Sequence, residues 1–383
     1  MKIKIVGAGP AGLYFALLMK QQNPDHDITI FERDGPNDTY GWGIVFSDKT
    51  LSYLKDNDLQ SYTDITNSFE TWDNVDVVHK DAKISIRGNK FSGIARVRFL
   101  GILQRRCRDL GVHLEFHTNI PDIDRVGDCD LLVGADGANS VVRRRYSEHF
   151  RPTLDQRKNK YIWLGTEHLF HGLTLTFRQN EHGVFAAHSY KFNKEHSTFI
   201  VECVGPTWDN AELGEMSERE ICKYLEQVFN RDLGGHKLLT NNFVRWLNFV
   251  IVKNERWFHR NVVLLGDALH TAHFSIGSGT KLALEDSIAL ARCFAEHSDP
   301  QEALPSFERS RKPIVDEYQE AAHSSLVWFE NADQKMSLDP IPFAFELMTR
   351  SHRVNYENLK KRDPEFVAGY DAWNTGTGIR QIY

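Results

Sequence analysis

Residues 2–32 constrain the fold of this chain more than any other stretch. Lys2 to Val6 reads as a short strand, and Gly7-Ala8-Gly9-Pro10-Ala11-Gly12 follows at once. Leu13 to Gln22 reads as a helix, and Ile28 to Phe31 as a second strand that ends on Glu32. A strand, a G-x-G-x-x-G turn, a helix and a strand tipped by an acid make a dinucleotide-binding unit of a parallel sheet. Gly7 permits the tight turn, Gly9 lets the backbone approach a pyrophosphate, and Gly12 lets helix and strand pack closely. The helix N-terminus offers unpaired N–H groups and a partial positive charge to the phosphates. Glu32 is placed to accept hydrogen bonds from both hydroxyls of a ribose and would repel a 2′-phosphate. This unit alone does not separate NAD from FAD.

Two later stretches separate them. Asp130 to Val133 reads as a third strand and runs into Gly134-Ala135-Asp136-Gly137, which in isolation is an ordinary Asp-Gly turn. Val262 to Leu265 reads as a buried strand that delivers Gly266-Asp267. Ile276-Gly277-Ser278-Gly279-Thr280 then precedes a helix read from Lys281 to His297. The ordered set of G-x-G-x-x-G, DG and GD resembles the single-component flavoprotein aromatic hydroxylases, the family that includes 4-hydroxybenzoate hydroxylase, over most of the chain. The resemblance implies FAD as cofactor. It puts Asp267 on the ribityl chain and the backbone of Ile276, Gly277, Gly279, Thr280 and Lys281 at the pyrimidine end of the flavin. Arg96, in the pattern R-x-x-F-x-x-x-L that ends at Leu103, matches an arginine near the ribityl–phosphate region. Asp136 is implied to support FAD and a transient nicotinamide, and Pro10, Ala11 and Arg33 complete the cofactor set. No second strand-linked G-x-G-x-x-G occurs. NADH or NADPH is therefore expected as a transient donor without a domain of its own. The chain departs from the common pattern at His273-Phe274, where Pro-Pro is frequent, and at Lys281, where Asn is frequent.

The motif positions make the FAD domain discontinuous. The expected fold is α/β: a Rossmann-like FAD-binding domain of the 4-hydroxybenzoate hydroxylase type, with an inserted antiparallel β-sheet substrate domain and C-terminal helices. Residues 1–75, 95–155 and 255–320 are assigned to the first, 76–94 and 156–254 to the second, and 321–383 to a helical segment. "KYIWLGTEHLF", "LTLTFRQ", "GVFAAHSYKF" and "STFIVEC" carry the sheet, being short, β-branched and aromatic, and broken by polar turns. Ser217 with Glu220 begins a helix that runs to Phe229.

"YGWGIVFSD", "RKNKYIWLGT" and "RVNYENLKKRDPEFV" narrow the resemblance to hydroxylases of aromatic CoA thioesters, acting on salicylyl-CoA or 2-aminobenzoyl-CoA. Some of these stretches are also similar to a hydroxylase branch acting on tryptophan-derived aromatics. The family's chemistry is reduction of FAD by NAD(P)H, addition of O2 at flavin C4a, and transfer of the distal oxygen of the hydroperoxide to the ring. The expected product is 2,5-dihydroxybenzoyl-CoA. A second, reductase-like domain found in bifunctional relatives is not expected. A protein that holds FAD without turnover, as a sensor, is the alternative outside enzymology.

Each candidate on the substrate side has two readings. His273 is either the catalytic base, its ordinary pKa lying near neutrality, or a loop histidine packed against the ring. His188 and Tyr190 alternate on one strand and so share a face, which lines either the substrate pocket or solvent. Phe274 is a candidate ring contact. Trp42, between two glycines, marks a mobile flavin-side loop or an aromatic wedge. For the anionic CoA tail, the basic candidates are Arg157, Lys158 and Lys160, or Arg350, Arg353, Lys360, Lys361 and Arg362.

Composition excludes other classes. A net charge of −6 argues against nucleic acid. No apolar run approaches the ~20 residues of a membrane span, and the strand at the N-terminus leaves no room for a signal peptide, so a cytoplasmic location is expected. Five scattered cysteines without Cys-x-x-Cys point to structural thiols and to no metal site. A homodimer interface, if formed, is sought on the C-terminal helices.

Overall fold

The computed structural model describes residues 1–241 and 244–376, with 48 and 49 by backbone only. Residues 377–383 of the expected C-terminal segment lie outside the described residues. Strand Lys2–Val6 turns at Gly7 into helix Pro10–Gln22, and strand Asp27–Phe31 returns parallel to the first. Pro10 sits in the first helical turn, where its missing N–H costs nothing. Leu131–Gly134 pairs on the other side of the first strand and Val262–Leu264 beyond it, both parallel. His113–Glu115 forms one edge of this six-stranded sheet and Phe258–His259 the other. The three motif loops thus leave the C-terminal ends of three neighbouring strands. That is where an open parallel sheet binds its ligand. Helix Pro10–Gln22 is buried without a break from Ala11 to Met19, because it lies between the sheet and helix Gly279–Glu296.

A second sheet has eight strands. Pro152–Thr166, Ser197–Cys203, Gly183–Lys191 and Leu173–Asn180 run antiparallel in that order, and Leu247–Asn254 adds to the first of them. Val75–His79 joins the far side in parallel and carries Ala82–Ile86. Phe91–Ala95 does not join it; it pairs with Gly43–Ser47 and Glu70–Trp72 in a separate three-stranded sheet. The two-residue strand period gives each face its own core. Phe185, Ala187, Phe199 and Val201 pack with Leu225 and Phe229 on one face. Ala186 and Phe177 pack with Phe329, Phe343 and Leu347 of the C-terminal helices on the other. Helix Pro300–Glu330 links the two halves, 31 residues and roughly 46 Å long. Among the described residues, no helix is long and apolar enough to cross a membrane, and no group of three or more His, Cys, Asp or Glu is placed to hold a metal.

Candidate active site

The glycine turn separates packing from ligand space. A Cβ at Gly7 would lie 2.3 Å from the carbonyl oxygen of Ala135, and one at Gly12 would lie 2.2 Å from that of Gly7. At Gly9 a Cβ would meet nothing within 4 Å. The outer glycines are therefore required by the fold, and the middle one faces open space. Glu32 braces the turn, its Oε2 accepting from the Ala8 N–H at 2.8 Å and its Oε1 from the Asp34 N–H at 3.0 Å. Arg33 is exposed and donates to the Tyr40 hydroxyl at 2.7 Å. Ala11 lets the GD loop close in, since Gly266 packs on its methyl group. Asp136 accepts from the Val141 N–H at 2.6 Å through Oδ2, while its Oδ1 is buried with no partner. An orphaned carboxylate oxygen beside an open glycine turn is a place for a ligand donor.

Asp267 leaves the end of strand Val262–Leu264 on a single helical turn. Its side chain is open to solvent, yet burial raises its carboxyl above the ordinary range, with Arg96 and His270 opposing. A group that is wetted but crowded lines a walled cleft. Arg96 opens helix Arg96–Asp109 and donates to Thr39 Oγ1 at 2.9 Å. Burial lowers its guanidinium from the ordinary value, and Asp267 pulls it back. Across the cleft, Gly277 adopts φ +62 and ends the turn Phe274–Ile276 before helix Gly279–Glu296. The first amide donating within that helix is Leu282, to Ser278, which leaves the N–H groups of Gly279, Thr280 and Lys281 available. A Cβ at Gly277 or Gly279 would meet nothing. These features suit a long dinucleotide with a flavin at the 276–280 loop. Only the backbone of Lys281 can take part. Its ammonium turns away, 2.6 Å from Glu285 and 2.9 Å from the Tyr318 hydroxyl.

On the sheet side three half-buried aromatics gather. Phe274 lies 5.0 Å from the ring of Tyr161, 6.3 Å from Phe249 and 5.3 Å, edge-on, from His188. The Tyr161 phenol is raised to about 12 by burial and by Asp267, which ties this cage to the cofactor cleft. His188 and Tyr190 are both buried, which removes the solvent reading. Tyr190 donates to the Gly43 carbonyl at 2.8 Å and so holds the loop that carries Trp42. Trp42 itself packs on Gly165 of the large sheet, and Trp163 fills the space over Gly41. Of the two readings of Trp42, these interdigitated rings and glycines fit the aromatic wedge.

Beneath the cage lies a carboxylate that sequence reasoning missed. Glu202 is buried, with Oε1 2.7 Å from His188 Nε2 and Oε2 4.0 Å from His273 Nε2. Burial raises its pKa, but the His188 contact and the two histidines win and hold it below the ordinary value. His273 is pushed down to about 4 by burial against the pull of Glu202. Its Nδ1 meets the Ser275 hydroxyl at 2.8 Å, which in turn meets Ser325 at 2.8 Å. Arg350 closes this network, donating to Ser325 Oγ at 2.8 Å and to the Ser275 carbonyl at 2.6 Å. A lone carboxylate within the apolar run "FIVEC" was the available signal for Glu202. Nothing local pointed to Tyr161, Phe249 or Arg350 as neighbours.

Residues 122–322 match a family model described as an FAD binding domain, and residues 5–36 one described as an NAD(P)-binding Rossmann-like domain. Salicyloyl-CoA 5-hydroxylase of a Streptomyces species is 39% identical over 384 residues, covering 97% of this chain and 74% of that protein. Protodeoxyviolaceinate monooxygenase of Chromobacterium violaceum is 35% identical over 352 residues, covering 90% of this chain and 92% of that protein. A variant of 2-methyl-3-hydroxypyridine-5-carboxylic acid oxygenase superposes with a TM-score of 0.72 at 20% identity, covering 94% of this chain and 98% of that one, a likeness of fold.

Proposed function

The chain belongs to the FAD-dependent aromatic monooxygenases, and from that premise we propose that its substrate is an aromatic CoA thioester, salicylyl-CoA first among them. The product would be 2,5-dihydroxybenzoyl-CoA. The observation that carries this reading is the 39% identity to a salicyloyl-CoA 5-hydroxylase along 97% of the chain. FAD and NAD(P)H are the cofactors of the family, and bound FAD supplies reduction by NAD(P)H and activation of O2. The protein's own residues do the rest. Gly9 and the N-terminus of helix Pro10–Gln22 would hold the pyrophosphate, Glu32 the ribose and Asp267 the ribityl chain. The amides of residues 279–281 would stabilise negative charge at the pyrimidine end of the flavin. Phe274, Tyr161 and Phe249 would hold the ring and exclude water.

His273 is proposed as a positioning residue, which favours its packing reading. A pKa of about 4 makes it too weak to retain a phenol proton at neutral pH, and Nδ1 is engaged by Ser275. The cytoplasm, where CoA esters and NAD(P)H are made, is the proposed location. A second reading, a free tryptophan-derived aromatic, draws on the 35% relative. To decide, NADH oxidation by the FAD-loaded protein is followed with salicylyl-CoA, 2-aminobenzoyl-CoA, free salicylate or tryptophan. Stimulation by a CoA ester alone is expected. Stimulation by a free aromatic alone would overturn the proposal.

A further inference from the structure

We infer that a cavity of about 840 Å3, walled by helices Pro300–Glu330 and Pro340–Thr349 and by residues 350–356, receives the coenzyme A tail. This rests on the thioester reading above and assigns the part of the substrate that the aromatic cage does not hold. The volume lies within the usual range for a small-molecule site. Trp328, Phe345 and Val354 give it an apolar wall, and His323 and His352 give it polar positions, while the guanidinium of Arg350 is turned inward to Ser325 and Ser275. Such a lining matches a pantetheine arm that ends in phosphates. Lys360 lies over the ring of Tyr356 at the same cavity, 5.6 Å from its centroid. The acid on the wall, Glu346, is already paired with Lys335 at 2.8 Å.

Position supports the same assignment. Arg350 belongs to the cavity wall and donates to the carbonyl of Ser275, two residues before Gly277. One side chain thus separates the cavity from the flavin loop, far less than the length of a pantetheine arm. Two of the three residues of the competing basic cluster are already engaged. Arg157 forms a two-pronged pair with Glu330 at 3.1 and 2.6 Å and a third contact with Asp155 at 2.7 Å. Lys160 donates to Asn248 at 2.8 Å. Arg362 donates to Asn89 at 2.9 Å, and Arg353 lies over the ring of Tyr318, which is not among the residues that line the cavity. In a second cavity, of about 400 Å3, two of the three basic side chains are already paired, leaving Arg292. Lys281 and Arg311 are paired with Glu285 and Asp286.

The test uses the FAD-loaded enzyme and the variant His352→Glu with Lys360→Glu, both exposed and outside the cofactor and ring sites. His323→Glu serves as an independent second variant, and each is checked for an unchanged visible flavin spectrum. The expected result is a rise of about tenfold or more in KM for salicylyl-CoA, with kcat unchanged. Inhibition by free coenzyme A should weaken in parallel. Wild-type KM and wild-type inhibition by coenzyme A in all variants would overturn the assignment and leave the thioester reading standing. A wild-type enzyme that no CoA ester stimulates would sink the thioester reading, and this one with it.

Discussion

An alanine at Gly9 would meet nothing within 4 Å and at φ −75 would be unstrained, whereas an alanine at Gly12 would collide with the Gly7 carbonyl at 2.2 Å. Gly9→Ala should therefore leave the apoprotein as stable as the wild type but weaken FAD binding by about tenfold or more, about 1.4 kcal/mol. Gly12→Ala should lower stability itself by about 2 kcal/mol or more. Urea melts of the apoproteins and FAD titrations distinguish the two, and equal stabilities would contradict the division of labour. A second residue-scale prediction concerns His273. Its folded pKa lies near 4 against 6.5 for the free side chain. Between those values the unfolded chain takes up a proton that the folded chain refuses. The stabilisation is thus whole above about pH 6.5 and is lost as pH falls toward 4, with a slope of up to about 1.4 kcal/mol per pH unit. Glu202, held below its ordinary value, loses its share only at lower pH. In His273→Gln the slope between pH 6.5 and 4.5 should shrink by about one proton; an unchanged slope would show that the histidine is not held neutral. The glycines were legible in the sequence because their chemistry is local. His188 and His273 were legible as candidates, but Glu202 and its pairing with them were not, because strands Gly183–Lys191 and Ser197–Cys203 and the 273–275 loop meet only in the fold.

Helix Gly279–Glu296 is held to its surroundings by Asp286. That carboxylate is fully buried, with Arg311 Nε at 2.8 Å from the long helix and His270 Nε2 at 2.7 Å from the GD loop. Arg311 and His270 outweigh burial and keep the Asp286 carboxyl below its ordinary range. Removing one partner from a buried pair strands the other charge, so Arg311→Met should cost about 3–5 kcal/mol in thermal or urea unfolding. It should loosen FAD as well, because the same helix presents the amides of residues 279–281. A loss of under about 1 kcal/mol would mean that the pair is incidental to docking. The elements themselves were mostly readable. The strand read at Val262 to Leu265 is present at Val262–Leu264, and the helix read from Lys281 begins two residues earlier, at Gly279. At this scale the sequence reads the loop around Trp42 as either a mobile loop or an aromatic wedge, and the packing favours a wedge: Gly41 and Gly165 are spaces filled by Trp163 and Trp42, from sheet and loop respectively. That complementarity joins segments more than a hundred residues apart and leaves no trace in either one.

At the scale of the whole molecule, the cleft is bounded by Asp267 at the end of strand Val262–Leu264 and Arg96 at the start of helix Arg96–Asp109, and by Tyr161 and Phe249 of the large antiparallel sheet with Phe274 of the turn that follows the GD loop. The parallel sheet announces itself through ordered motifs. The antiparallel sheet supplies shape, and its pocket is built from side chains whose proximity no spacing rule encodes. That is why the cofactor followed from the sequence, whereas the tail cavity emerged only from the packing of helices Pro300–Glu330 and Pro340–Thr349. The central claim is that this pocket puts one oxygen atom from O2 onto a ring that is carried as a thioester. The most direct measurement is mass spectrometry of the product after turnover of salicylyl-CoA with NADH under oxygen-18 gas. The account predicts an intact CoA ester that is heavier by one labelled oxygen, with the new hydroxyl para to the phenol. Unlabelled salicylyl-CoA recovered after NADH has been consumed, or label appearing only on a free aromatic, would contradict it.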